Sequence, residues 1–427
     1  GGSPVQRTFE YTEHNGVLSP VVARKEGKAY VVSTPYMHQA GLSDEQSYRM
    51  TLAKDIGEFR EAMKLLGTEP QNIMAGDAHG NTFYVRMGRT PIRPSGFDWT
   101  KPVPGNTSKT AWKGIHPFED LVQIENPPQG YMQNNNLAPD RMMEESPLTA
   151  DRYPSYIFND TPGRTRYRGI RAVELLSNAF SATVEDAIDI ALDEKWVGTE
   201  AWKRALRRAL NQNTDTVRAK PLAFHRFVQR ILNFDGFARA SSVAALNYYY
   251  WLTTLPSVSG LSEAQLEDLT NAIETGKELA PEQNRWLLER IERAIEAMIA
   301  AHGTTNVRCG DVFRVGRGGD SWPAGCGYFS AGKHSAHALR ILGFRPPDSI
   351  GQRWLFRGHR NSTLTIFTDP IQSFTLAAFG QSDHPDSPHY SDQARLVSES
   401  RFKPTYFYKE DLLKHVVSTK TLDVRFE

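Results

Sequence analysis

NIMAGDAHGNTFYVRMG, residues 72–88, reads as two β-rich runs around a turn at Asp77 to Asn81, a hairpin in which alternate side chains share a face. Just before it, apolar side chains at Ile56, Phe59, Met63 and Leu66 recur at helical spacing, and Gly67 is the expected stop. Further upstream, RTFEYTEHNGVLSPVVAR (7–24) carries an Asn15-Gly16 turn between β-rich runs, and KAYVVSTPY (28–36) supplies a third strand. Downstream, residues 90–140 are rich in Pro, Gly and Asn but too aromatic for a flexible linker. Such a stretch is ordered irregular structure, which in enzymes usually carries function.

The chain changes character after that. SATVEDAIDIALDEK (181–195) opens with a Ser181/Thr183 cap and early acids, TEAWKRALRRAL (199–210) is amphipathic, and PEQNRWLLERIERAIEAMIAAHG (281–303) runs from a proline to a glycine with one apolar face. Strands return in DVFRVGRG, RWLFRG, TLTIFTDP and FTLAAFG, and a short helix follows at KEDLLKHV. Strands and ordered loops over 1–140, mainly helix over 141–303 and strands over 304–427 predict one α+β domain whose sheet is completed by both ends of the chain.

Composition narrows the function. With 427 residues, 50 basic and 49 acidic side chains, the chain has no cationic excess with which to hold a phosphate backbone, so no nucleic-acid partner is expected. No apolar run approaches the roughly 20 residues of a membrane span, and none of the P-loop, GxSxG or HExxH signatures occurs. The two cysteines, Cys309 and Cys326, flank a Gly-rich turn that could bring them together; two free buried thiols are the alternative. SDHPDSPHY (382–390) groups His384, Asp386 and His389 in a proline-rich loop with no inferable ligand geometry.

Two stretches suggest chemistry. In NPPQGYMQNNNLAPD (126–140) the consecutive asparagines read as a turn cluster, or as a side-chain amide held at the lip of a site to donate to an oxyanion. In GRTRYRGIRAVELL (163–176) the arginines read as a solvated face, or as one guanidinium turned inward.

These motifs in their order, with GDAHGNTFYVRMGRTPIRPSGFDWTKPVPG (76–105), AWKGIHPFEDLVQIENPPQGYMQNNN (111–136), ILNFDGFARASSVAALNYYYW (231–251), RCGDVFRV (308–315) and the run from Phe367 to Phe407, closely resemble the penicillin acylase family of N-terminal nucleophile hydrolases. That family includes β-lactam acylases and N-acyl-homoserine lactone acylases. The resemblance implies an αββα sandwich and hydrolysis of an N-acylated amine through an acyl-enzyme. It implies a precursor cut into α and β chains, with the β chain's N-terminal Ser as nucleophile and its own α-amine as base. Here the start, Gly1 with Ser3-Pro4, does not look like a β-chain start. The expected partners are therefore an α chain and an upstream β segment of the same precursor, plus a small N-acyl substrate. The 427 residues alone are expected to be inactive; an inert structural or binding remnant of the fold is the alternative.

By the same resemblance Asn136 falls at the oxyanion-hole asparagine, with Asn134 and Asn135 beside it as substrate contacts. Arg168 falls at the arginine near the nucleophile's amine, with Arg166 and Arg171 as rivals. His14 takes a structural role. No cofactor is implied, some relatives hold a structural calcium with ligands mostly upstream, and export to the periplasm or outside is expected.

Overall fold

The computed structural model describes residues 6–14, 16–37, 39, 41–254, 262–331, 334–336, 338–359 and 361–422. The chain forms two compact units, Gly1–Thr165 and Arg166–Glu427. The expected turn residue Asn15 and the Ser3-Pro4 start lie outside the described residues.

In the first unit β1 (Tyr11–His14), β2 (Val17–Lys25) and β3 (Lys28–Val31) form one antiparallel sheet. The hairpin at 72–88 is present as β4 (Gln71–Gly76) and β5 (Thr82–Met87), with Ile73 opposite Val85. Its turn is built by Asp77, whose Oδ1 accepts from the N–H groups of His79 and Asn81. The Asp77 Oδ2 accepts from Ile56 N–H at 3.2 Å, tying the turn to the start of the helix Ile56–Met63. A short third strand, β6 (Gln123–Glu125), pairs antiparallel with β5.

Because successive side chains of a strand face opposite sides, β5 divides its residues between two cores. Phe83, Val85 and Met87 pack with Ile56, Met63, Leu66, Phe118 and Leu121. Tyr84, on the other face, packs with Val122, Leu137, Ala138, Met142, Ile157 and Phe158. The helix ends at Met63 rather than at the expected glycine, and Leu66 takes the left-handed conformation, φ 51°. Gly67 is needed for a different reason: a Cβ there would lie 2.4 Å from the Leu42 carbonyl oxygen.

The second unit is built on the helices Thr199–Gln212, Leu222–Leu232, Val243–Thr253 and Pro281–His302. The helix Val243–Thr253 is buried nearly all round, and Trp196, Trp202, Tyr248 and Trp251 fill the centre. Thr183 and Asp186 form a reciprocal capping box at Val184–Ala191, and Gly303 ends the longest helix at φ 72°, as their residue types predict. Strands Leu342–Phe344, Arg353–Gly358, Phe313–Val315 and Trp322–Pro323 form a four-stranded mixed sheet. Cys309 and Cys326 are joined in a disulfide with Cα atoms 5.1 Å apart, both fully buried. No described helix is long and apolar enough to cross a membrane.

Candidate active site

The asparagine loop follows from the second face of β5. Leu137 and Ala138 are buried against the core that contains Tyr84, which fixes the C-terminal end of the triplet by about 1.5–3 kcal/mol for the leucine alone. At the N-terminal end, Gln133 is buried; its N–H donates to the Met142 carbonyl and its Nε2 to the Arg141 carbonyl. Between these anchors Asn135 Nδ2 donates to Gln133 Oε1 at 2.7 Å. Asn136 N–H donates to Asn134 Oδ1 at 3.1 Å, an Asx turn, and Asn136 sits at φ 60°, a conformation asparagine tolerates better than most residues. The structure therefore brings Asn134, Asn135 and Asn136 together on one loop, half-buried for the first two and exposed for Asn136. Asn134 Nδ2 is buried and finds no acceptor among the described residues.

The loop has a further clamp that sequence reading missed. Arg164 Nη1 donates to the Asn136 carbonyl at 3.0 Å, and the Ala138 N–H donates to the Arg164 carbonyl at 3.0 Å. Arg164 is itself gripped by Asp160 through Nε and Nη2, at 2.5 and 2.6 Å. Arg86, on the same face of β5 as Tyr84, reaches Asp160 Oδ2 at 3.3 Å and the Asn159 carbonyl at 2.9 Å. Burial works to raise the Asp160 pKa. The Arg164 hydrogen bonds, the Thr161 N–H and the two cations outweigh it and hold the carboxyl below its ordinary value. The signal was present as an acid and an arginine four residues apart in NDTPGR, but nothing in that spacing shows that the pair closes on Asn136. His14 Nε2 contacts the Thr107 carbonyl at 2.7 Å.

Arg168 belongs to the second unit, in the helix Tyr167–Ser177. It is half-buried, and burial first, then the like charge of Arg166, lowers its pKa. Its charge also bears on His359, whose pKa is lowered by burial, then by Arg340 and Arg168. Arg171 is buried and bidentate to Asp193, at 3.1 and 2.8 Å, with Glu174 on its remaining nitrogen. Its guanidinium is thus taken up inside the second unit, whereas Arg166 is exposed. In the His384–His389 loop, His389 Nδ1 contacts Asp392 at 2.9 Å.

The fold places the chain in a class. Over 98% of its length it superposes on 82% of a thermostable penicillin G acylase from Alcaligenes faecalis, with a TM-score of 0.59 and 16% sequence identity. The chain therefore shares the α+β fold of that acylase. The chain belongs to the penicillin amidase family, whose profile matches residues 1–414. It is similar to a penicillin acylase 2 proenzyme from Pseudomonas sp. (strain SE83), 25% identical over 449 aligned positions that cover 99% of this chain and 55% of that protein. It is also similar to penicillin G acylase of Escherichia coli, 34% identical over 125 positions, 29% of this chain and 13% of that one. The chain spans about half the length of the first of these relatives.

Proposed function

We propose that these residues are part of an exported amidohydrolase that cleaves the amide bond of a small N-acylated amine, such as an acylated β-lactam or an acyl-homoserine lactone, through an acyl-enzyme. The N-terminal Ser nucleophile, an α chain and the upstream β segment belong to the remainder of the complete protein, released by cleavage of one precursor. Family membership supports the reaction, and the 55% coverage of a relative named a proenzyme supports a larger whole.

The chemistry defines what this chain contributes. A serine hydroxyl attacks only when a base takes its proton, and an α-amine with an unperturbed pKa of about 7.7–8.0 can do so near neutrality. Attack puts a negative charge on the scissile oxygen, and a donor fixed in advance at that oxygen lowers the barrier. Asn136 supplies that donor from its side-chain amide. The carrying observation is its mounting: a left-handed backbone held by the Asn134 side chain, with its carbonyl clamped by Arg164. Arg168 is assigned to the surroundings of the nucleophile's amine, where a positive charge favours the unprotonated base. The buried disulfide supports an oxidising compartment, periplasmic or extracellular.

The test is to quench the complete protein during turnover of a chromogenic N-acyl anilide and weigh its chains intact. One chain heavier by the mass of the acyl group is expected. Turnover with no acylated chain at any quench time would overturn the acyl-enzyme, and no turnover of any N-acyl amine would overturn the reaction.

A further inference from the structure

The second unit holds a cleft of about 880 Å³ lined from the helices Tyr167–Ser177 and Val184–Ala191 and, beyond them, by residues that include Glu194 and Arg340. Two ion pairs belong to its lining. Arg171 takes both oxygens of Asp193, and the Lys195 N–H adds a third bond to that carboxylate at 3.2 Å. Arg340 donates through Nη1 to Glu194 Oε1 at 3.1 Å and to Ser400 Oγ at 2.8 Å, and through Nη2 to the Val397 carbonyl. Glu194 Oε2 is left over. It accepts from no described residue, it is not sealed from solvent, and the Glu194 side chain keeps 17% of its surface exposed. A mostly buried carboxylate with one reachable, unbonded oxygen marks a place where a donor belongs.

The charges around it favour a cation. Three arginines line the cleft and each is already matched: Arg171 by Asp193 and Glu174, Arg340 by Glu194, and Arg239 by Asp235 at 2.7 Å, its guanidinium lying 4.0 Å from the centre of the Phe237 ring. Two further lining acids, Asp186 and Asp189, form no ion pair among the described residues. Asp186 is taken up by the cap of its own helix, whereas Asp189 is exposed. The lining therefore carries a surplus of negative charge. Burial raises the Glu194 pKa against the pull of Arg340 and Arg239, a penalty that a bound cation relieves. These groups do not suit a metal ion: no three His, Cys, Asp or Glu side chains among the described residues are placed to hold one. Much of the remaining lining is apolar, with Leu175, Ile188 and Leu192, and with Phe180 87% exposed.

We propose that this cleft binds a small primary amine as its ammonium ion, one N–H donating to Glu194 Oε2 and the apolar body lying against Leu175, Ile188 and Phe180. Both partners of that hydrogen bond are ionised, which makes it stronger than a neutral one. Asp189 adds attraction from an exposed position without needing to touch the ligand. The apolar lining selects an amine with a hydrocarbon body over a hydrated inorganic cation. The site does not depend on the proposed amide hydrolysis.

Benzylamine titrated into the complete protein, followed by calorimetry, tests this, with benzyl alcohol and benzyltrimethylammonium as separate arms. Saturable binding of benzylamine is expected, weakened by salt. Benzyl alcohol, which keeps the ring and loses the charge, should bind at least about tenfold more weakly. Benzyltrimethylammonium, which keeps the charge but has no N–H, should bind several-fold more weakly. Glu194→Gln should raise Kd by at least about tenfold, with circular dichroism confirming the fold. Asp189→Lys reverses an exposed charge, should raise Kd several-fold, and stands in should Glu194→Gln not fold, since that change leaves Arg340 without its carboxylate. No benzylamine binding would overturn the proposal. So would binding that survives these replacements unchanged, which would put the ligand elsewhere. Benzyl alcohol binding as tightly as benzylamine would overturn the ligand class, and benzyltrimethylammonium doing so would overturn the hydrogen bond to Glu194.

Discussion

Asp160→Asn removes one charge while keeping the shape of the side chain, and its consequences can be worked out from the clamp on Asn136. The wild-type carboxylate is 5% exposed and holds Arg164, 35% exposed, and Arg86, 19% exposed. Breaking a buried pair costs about 3–5 kcal/mol and an exposed one about 0–1 kcal/mol; this half-screened arrangement falls between, at about 2–3 kcal/mol. For a unit of 165 residues that corresponds to a fall of about 4–12 °C in Tm. The loss should vanish in acid. The folded pKa of Asp160 lies below its ordinary value, so its contribution is present above the ordinary carboxylate range and fades as pH falls through the folded value. The gap between wild type and variant should therefore start to narrow only below about pH 4 and close once the pH lies under the lower, folded value. Arg164, no longer gripped, would also hold the Asn136 carbonyl less firmly, and misplacing a donor lowers kcat, here by about tenfold, with KM little changed. Thermal melts monitored by circular dichroism between acid and neutral pH, alongside initial rates of the complete protein, measure both. A variant with wild-type Tm and kcat at neutral pH would refute the clamp.

Asn134→Asp keeps the Oδ1 that accepts from the Asn136 N–H and should preserve activity better than Asn134→Ala, which loses the Asx turn and about 1 kcal/mol of stability; melts and initial rates on both distinguish them. Thiol titration of the denatured, unreduced protein should find no free thiol, and replacing Cys309 and Cys326 together by Ser should cost about 3 kcal/mol, because a loop of 17 residues is no longer closed in the unfolded chain. Arg168→Lys should lower kcat of the complete protein because the planar fork is lost, whereas the exposed Arg166→Lys should not; the reverse result would move the assignment to Arg166.

Patterns internal to one element were legible in the sequence. The 72–88 hairpin, the capping box at Thr183, the proline start and glycine end of Pro281–His302 and the strand Arg353–Gly358 follow from periodicity, caps and turn chemistry. What depends on contacts between elements was not. Gly67 looked like a helix stop, but it is small because the Leu42 carbonyl passes beside it. The arginine-rich run read as a solvated face or as one guanidinium turned inward; Arg171 is turned inward, but its partner Asp193, 22 residues away, could not be named from the sequence. The Cys309–Cys326 bond was legible in part, since the Gly-rich turn between the two residues allowed it and left two free thiols as the alternative, but the Arg164 grip on Asn136 requires knowing where distant backbone lies. The asparagine triplet itself was recognisable only through its resemblance to a family; its spacing would equally suit a bare turn.

The most direct measurement of the central claim is kcat for Asn136→Ala in the complete protein, taken with its Tm and compared with Asn135→Ala. A donor aimed at charge that appears only in the transition state raises kcat without tightening substrate binding. Asn136→Ala is expected to lose about 10²–10³ in kcat with KM and Tm nearly unchanged, while Asn135→Ala retains most of its activity. Near-normal kcat in Asn136→Ala, or a loss that tracks unfolding, would contradict the oxyanion role of Asn136.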